Sequence, residues 1–187
     1  MSFPTTPSQT VGPFFSIGLA WAGGPLAVAE DMPGALCLKG TVYDGAGAPV
    51  TDSLVESWQA DPEGRFEDLL GFAGPSKLAG FRGFARCGCE EGDGSFEIRT
   101  VKPGRLPGPG GSRQAPHIDV SVFARGLLHR CVTRVYFADE AAANATDPVL
   151  ASVPLARRET LLAAPIDGGY HFDIHLQGLN ETVFFAL

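Results

Sequence analysis

Hydrophobic and polar residues alternate along several short stretches of this chain. In residues 95–100, Phe96 and Ile98 alternate with charged neighbours, and the same alternation runs through residues 117–122 and 170–176. A period of two is that of a β-strand with one buried face and one polar face. These three stretches are therefore predicted to be strands.

Further strands are predicted where apolar runs are bounded by turn-forming residues, at 38–43, 54–61, 81–86 and 132–137. Short helices are predicted only at 138–145 and 155–163. The 24 glycines and 15 prolines favour many turns over a helix bundle. The predicted fold is an all-β sandwich of short antiparallel strands, with long loops and one or two short helices, in a single domain over residues 1–187.

The N-terminal segment does not follow the strand pattern. Residues 5–13 are rich in turn formers, and the apolar rings of Phe14, Phe15 and Trp21 follow them. A solvated tail has little use for three large apolar rings. Residues 1–22 are therefore predicted to be an arm that docks on another surface.

Charge and cysteine content narrow the class of protein. The formal net charge of −7 argues against binding nucleic acid or an anionic membrane, since both need a basic surface. The start of the chain lacks the basic and apolar regions of a signal peptide, and no apolar run reaches membrane-spanning length. Together with four cysteines, Cys37, Cys87, Cys89 and Cys131, this leads us to expect reduced thiols in the cytoplasm.

The histidines are the candidate metal ligands. On a strand, His171, Asp173 and His175 share one face, but a polar sheet face explains them better than a metal site. His117 and Asp119 also point the same way, and a hydrogen bond between them is the favoured explanation, because a metal would need further ligands. The sequence has no nucleophile elbow, P-loop or dinucleotide fingerprint.

Several segments together resemble the intradiol aromatic-ring dioxygenases, and the resemblance covers nearly the whole chain. The segments that carry it are Pro7–Phe14, Gly40–Gly45, Val55–Asp61, Gly64–Phe66, Thr100–Gly104, Pro116–Asp119 and Arg134–Phe137. Each is weak alone, and the combination is specific. The resemblance implies the all-β fold already predicted from the pattern.

The chain departs from this family at the positions where its catalytic members hold ferric iron with two tyrosines and two histidines. Phe66, Leu106, His117 and Asp119 stand at these positions, so one of the four ligands is retained. Gln114 replaces an arginine that assists before the first histidine. Both phenolates, the hard anionic donors that suit ferric iron, are missing. We therefore expect neither a catalytic residue nor a metal ligand in this chain.

The resemblance then implies the non-catalytic subunit of a heteromer. Its homologous beta subunit would hold the Fe(III), and the complex would cleave 3,4-dihydroxybenzoate to 3-carboxy-cis,cis-muconate. Thr10, Gly12 and Pro13 match the arm positions that line the beta subunit's substrate pocket. Several such heterodimers are expected to assemble further.

Arg134 is the remaining candidate for substrate binding, because a guanidinium suits the carboxylate of a small aromatic acid. A cross-strand ion pair explains Arg134 equally well. Two other functions stay open. One is a stand-alone β-sandwich that binds a ligand without enzymatic activity. The other is a metal hydrolase built from His117, Asp119, His171 or His175.

Overall fold

The computed structural model describes residues 12, 14–66, 75–89 and 93–186. Within these residues the chain forms nine strands: β1 Leu36–Tyr43, β2 Leu54–Trp58, β3 Phe84–Gly88, β4 Ser95–Thr100, β5 His117–Phe123, β6 Cys131–Phe137, β7 Leu162–Ile166, β8 Gly169–His171 and β9 Ile174–His175. The α-helices are α1 Phe14–Leu19, α2 Ala141–Asn144 and α3 Pro148–Ser152. Short 3-10 helices lie at Pro109–Gly111, Ala138–Glu140 and Leu155–Leu161.

The strands form one continuous sheet in the order β3-β2-β5-β6-β7-β8-β1-β4, and β9 pairs with β1. The end strands β3 and β4 contact each other, so the sheet rolls into a nearly closed barrel. The prediction of an all-β fold with few short helices is confirmed. The prediction did not include parallel pairing, which joins β1 to β8, β1 to β9 and β6 to β7.

The alternating stretches bury one face, as their period requires. Phe96 and Ile98 of β4 and Ile118 and Val122 of β5 are almost fully buried. They join the main core between the two halves of the sheet. Each fully buried side chain of this size contributes about 1.5–3 kcal/mol to folding.

The stretch 170–176, predicted to be one strand, is divided into β8 and β9. Between them Phe172 N–H donates to the Lys39 carbonyl at 2.7 Å, and the Asp173 carboxylate accepts from Thr41 N–H at 2.9 Å. The Asp173 carboxylate thus takes the place of a backbone carbonyl as the hydrogen-bond acceptor for Thr41 of β1. Gly40 is required opposite the break, because a Cβ there would overlap the Phe172 carbonyl oxygen.

The helix predictions need correction at three places. Helix α3, Pro148–Ser152, lies between the two predicted helices and was not expected. Residues 155–163, predicted to be helical, form a 3-10 helix over Leu155–Leu161 and then enter β7. Conversely, α1 is a helix inside the predicted arm. Thr10 and Pro13 of that arm lie outside the described residues. In the described ranges no helix is both long and apolar enough to cross a membrane.

Candidate functional site

One pocket gathers the positions at which the sequence departs from the catalytic dioxygenases. Its volume is about 220 Å³, and it is lined by Gly64, Phe66, Leu106, Pro107, Gln114, His117, Asp119 and Arg134. Strands β5 and β6 supply the last three residues, and two loops supply the rest. Residues far apart in sequence therefore converge on one site.

Asp61 holds both loops in place. Its carboxylate accepts from Arg65 N–H at 2.8 Å and from Ser76 Oγ at 2.6 Å, which closes the loop that carries Phe66. Its backbone carbonyl accepts from Gly104 N–H at 2.8 Å, in the loop that leads to Leu106. The Asp-Pro-Glu-Gly sequence at residues 61–64 is a turn signal that marks this role, although its reach to Ser76 is not readable from spacing.

His117 is buried at the start of β5, and its ring orientation is fixed. Its Nδ1 lies 2.7 Å from the Ala115 carbonyl oxygen. Because a carbonyl oxygen only accepts, Nδ1 carries the proton, and Nε2 is left as an acceptor in the neutral ring. Burial, followed by the nearby Arg134 charge, lowers the pKa of His117 below its ordinary value. The predicted hydrogen bond to Asp119 is replaced by this bond to Ala115.

Asp119 and Arg134 face each other across β5 and β6, where their backbones are directly paired. Arg134 Nε donates to Asp119 Oδ1 at 2.8 Å, and Arg134 Nη1 donates to Gln114 Oε1 at 2.7 Å. Gln114 Nε2 in turn donates to the Pro107 carbonyl at 2.9 Å. The cross-strand ion pair considered for Arg134 is therefore present, and it places the guanidinium at the pocket.

Asp147 supports the pocket from behind and was not anticipated. This fully buried carboxylate accepts from Ala115 N–H at 2.7 Å, from Tyr136 Oη at 3.1 Å and from the first amides of α3. It thereby fixes the residue whose carbonyl orients His117. The Asp-Pro pair at 147–148 is a signal for a helix start, but only the fold brings it to Ala115.

The donor set in the pocket does not fit ferric iron. Phe66 and Leu106 offer only carbon, and Asp119 is committed to Arg134. Among the described residues that line the pocket, His117 Nε2 remains as a nitrogen that could bind a metal ion. Across the described part of the chain, no group of three or more His, Cys, Asp or Glu side chains is arranged to hold a metal ion.

The other histidines proposed as ligands lie elsewhere and have other contacts. His171 Nε2 lies 3.1 Å from Asp173 Oδ1, and Asp173 also accepts from β1. His175 stacks on Tyr43 with 4.9 Å between ring centroids. Neither lines the pocket that contains His117 and Asp119, so the structure does not assemble the four-residue hydrolase site.

An aromatic strip, defined as Phe66, Trp58, Phe84 and Trp21, runs from the pocket towards α1. Successive ring centroids are 5.9, 6.4 and 6.4 Å apart. Trp58 and Trp21 remain 41% and 45% exposed, and Phe14 and Ile17 of α1 are more exposed still. A broad apolar surface therefore lies beside the pocket.

Gly12 is the only described member of the predicted arm contacts Thr10, Gly12 and Pro13. Its φ of 68° lies in the left-handed region that favours glycine. Among the described residues, no heavy atom lies within 4 Å of a Cβ built on Gly12.

Comparison with known proteins places these features in a family. A family model described as Dioxygenase matches residues 11–178. The protocatechuate 3,4-dioxygenase alpha chain of Pseudomonas putida is 44% identical over 97% of this chain and 96% of its own length. The beta chain of the Burkholderia cepacia enzyme is 32% identical, over 82% of this chain and 68% of its own length.

Among solved structures, the dioxygenase domain of a dioxygenase and carbohydrate-binding protein fusion from Streptomyces sp. SirexAA-E is similar. It superposes with a TM-score of 0.56 at 27% identity, covering 82% of this chain and 87% of that domain. The sequence matches and the superposition on this solved structure point to the same family. The chain belongs to the intradiol dioxygenase family, which includes the alpha and beta chains of protocatechuate 3,4-dioxygenase.

Proposed function

We propose that this chain is the non-catalytic alpha subunit of a protocatechuate 3,4-dioxygenase. One observation carries the proposal: the chain matches a named alpha chain over 97% of its length, and Phe66 and Leu106, which by the resemblance stand where catalytic members have tyrosine ligands, both line the pocket.

In this proposal the homologous beta subunit holds Fe(III), and the complex converts 3,4-dihydroxybenzoate to 3-carboxy-cis,cis-muconate. The iron supplies Lewis-acid and redox chemistry to the bound aromatic ring when it is present in the beta subunit. This chain supplies a rigid scaffold and part of the wall around the substrate. Several heterodimers would then assemble, with the four free cysteines favouring a reducing, cytoplasmic setting.

The arm is the proposed contribution to the partner's substrate pocket. Thr10, Gly12 and Pro13 would line it, and the left-handed backbone at Gly12 supports a close approach that a side chain would obstruct. The exposed Phe14 and Ile17 beside Gly12 give the arm an apolar anchor on the beta subunit.

Arg134 is a weaker part of the proposal. Its side chain is only 20% exposed, and two of its donor nitrogens already bind Asp119 and Gln114. Contact with a substrate carboxylate would have to use Nη2, with the ion pair kept. The structural role of Arg134 therefore accounts for more of its surroundings than the substrate role does.

The deciding experiment measures iron and oxygen uptake for this chain, for the cognate beta chain and for the co-expressed pair. We expect the co-expressed pair to contain iron and to consume oxygen with 3,4-dihydroxybenzoate. We expect this chain alone to do neither. Stoichiometric iron in the isolated chain, or no gain in activity on co-expression, would contradict the proposal. The second outcome would favour a stand-alone ligand-binding module.

A further inference from the structure

The pocket around His117 has properties of a binding site in its own right. His117 is only 3% exposed and lines the pocket, and its Nδ1 is bound to the Ala115 carbonyl oxygen, which leaves Nε2 as the acceptor nitrogen of the ring. A ligand in the pocket that carries a hydroxyl group could therefore donate a hydrogen bond to Nε2.

The acceptor is held in a fixed position by a relay of hydrogen bonds. Asp147 accepts from Ala115 N–H at 2.7 Å, and the Ala115 carbonyl holds His117 Nδ1 at the same distance. The ring therefore presents Nε2 without reorganisation. Such preorganisation lowers the entropic cost of binding a small molecule.

The charge balance favours a neutral ligand. The guanidinium of Arg134 is paired with Asp119 and satisfied further by Gln114. The two opposite charges cancel, so the described residues that line the pocket include no unpaired cation to attract a carboxylate. A neutral hydroxyl that donates to Nε2 meets the chemistry of the site better than an anion.

Size and lining favour a single aromatic ring. A cavity of about 150 Å³ holds one benzene molecule, and this pocket of about 220 Å³ leaves room for a substituent. Leu106 and Pro107 form apolar walls, and Phe66, backed by Trp58, offers a ring face or edge. Aromatic pairs of this kind add about 0.5–1.5 kcal/mol beyond the buried area.

We propose that this chain binds a small neutral phenol in its own pocket, with the phenol hydroxyl donating to His117 Nε2 and the ring packed between Phe66 and Leu106. This site needs no iron and no partner. It goes beyond the proposed function, because a chain that failed to activate any beta subunit could still bind the phenol. Equally, a chain that binds no phenol could still activate a beta subunit.

The test is a ¹⁹F NMR titration of the full-length chain with 4-fluorophenol, with fluorobenzene and 4-fluorobenzoate as comparison ligands. We expect saturable binding of 4-fluorophenol, at least tenfold tighter than either comparison ligand. His117→Phe should weaken it at least tenfold, because one lost hydrogen bond of about 1.4 kcal/mol corresponds to that factor. Leu106→Trp, which fills the cavity, should abolish it.

The matched control is His171→Phe, the same substitution at an exposed histidine of β8, which should leave the affinity unchanged. Melting temperatures of all variants show whether each is folded. If His117→Phe does not fold, the affinities of Leu106→Trp and of the comparison ligands still test the proposal. No saturable binding, binding unaffected by Leu106→Trp, or tighter binding of 4-fluorobenzoate would overturn the proposal.

Discussion

At the scale of single residues, His117 connects the geometry of the pocket to pH. Desolvation lowers its pKa most, the Arg134 charge lowers it further, and Asp119, Asp147 and the Ala115 carbonyl oppose the shift. The folded protein therefore favours the neutral ring more strongly than the unfolded chain does. Tyr136, whose ring centroid lies 5.8 Å away, is held protonated by the raised pKa that burial gives it.

The sign of the pH effect follows from this difference. Below the ordinary histidine pKa of about 6.5, the unfolded chain binds a proton that the folded chain does not. We expect the free energy of unfolding to fall as the pH drops through that value and to level off only below the lowered folded-state pKa. Urea denaturation between pH 8 and pH 5 measures this for the wild type and for His117→Gln, which does not titrate. An equal pH dependence in the two proteins would contradict it.

Gly12 gives the second residue-scale prediction. If the arm lines the beta subunit's pocket, Gly12→Ile should lower kcat/KM per iron in the intact heteromer by about 100-fold, the cost of displacing a positioned group by about an ångström. Because φ is 68°, isoleucine also strains the backbone. Gly12→Asn separates the two effects, since asparagine tolerates this φ while adding volume.

Steady-state kinetics on heteromers purified by size-exclusion chromatography supply the measurement. Loss of activity in both variants supports a pocket role. Normal kcat/KM with impaired assembly would mean that the arm only docks the subunits.

At the residue scale, the sequence identified the pocket only through resemblance. Strand spacing joins His117 to Asp119, but Phe66 and Leu106 lie elsewhere in the chain, and no spacing rule joins them to this pair. The strand pattern allowed a cross-strand ion pair to be predicted for Arg134. The tautomer of His117 could not be predicted, because it depends on a hydrogen bond to the Ala115 carbonyl that the hydrophobic pattern does not specify. Asp61 and Asp147 gave local turn and cap signals, but their distant contacts require the fold.

At the scale of elements, periodicity located strands but not their pairing. The alternation in residues 95–100 and 117–122 predicted β4 and β5, because each buries a single face. Whether neighbours run parallel depends on the connections, and three pairs proved parallel. The break between β8 and β9 escaped detection because Asp173 keeps the polar period while its carboxylate binds the Thr41 amide.

Asp147 joins α3, β6 and the pocket loop, so its removal should destabilise several elements together. Asp147→Ala would leave two helix amides, the Ala115 amide and the Tyr136 hydroxyl without their acceptor. With about 1–3 kcal/mol for each buried unsatisfied group, we expect a loss of at least about 3 kcal/mol in the free energy of unfolding.

Asp147→Asn is the matched control, because it keeps one acceptor oxygen for the α3 amides and should lose less. Urea denaturation measures both variants. A loss in Asp147→Ala no larger than about 1 kcal/mol, the usual cost of a missing helix cap, would show that the contacts to Ala115 and Tyr136 contribute little.

At the scale of the whole molecule, the most informative feature is the apolar surface formed by α1 and the aromatic strip. Phe14 is 75% exposed and Ile17 is 69% exposed, and Trp21 and Trp58 of the aromatic strip are 45% and 41% exposed. Obligate interfaces between subunits bury more than about 2,000 Å² and are apolar at their centre. The surface has the composition that such an interface requires, and the two tryptophans are its strongest candidate anchors.

Trp21 is the residue to test, because exposed tryptophans that become buried in an interface often contribute 2 kcal/mol or more to binding. We expect Trp21→Ser to weaken association with the beta subunit by at least about 30-fold, the factor that corresponds to 2 kcal/mol. Leu179→Ser removes a fully exposed apolar side chain from the loop after β9 and should leave association unchanged. Analytical ultracentrifugation of each variant with the beta chain gives the affinity, and hydrogen exchange reports whether residues 14–21 become protected.

Trp21 also stacks on Phe84 and lies under Arg86, so a melting temperature close to that of the wild type is needed to assign the effect to the interface. Unchanged association in a folded Trp21→Ser chain, together with no added protection of residues 14–21, would place the partner interface on another face of the barrel.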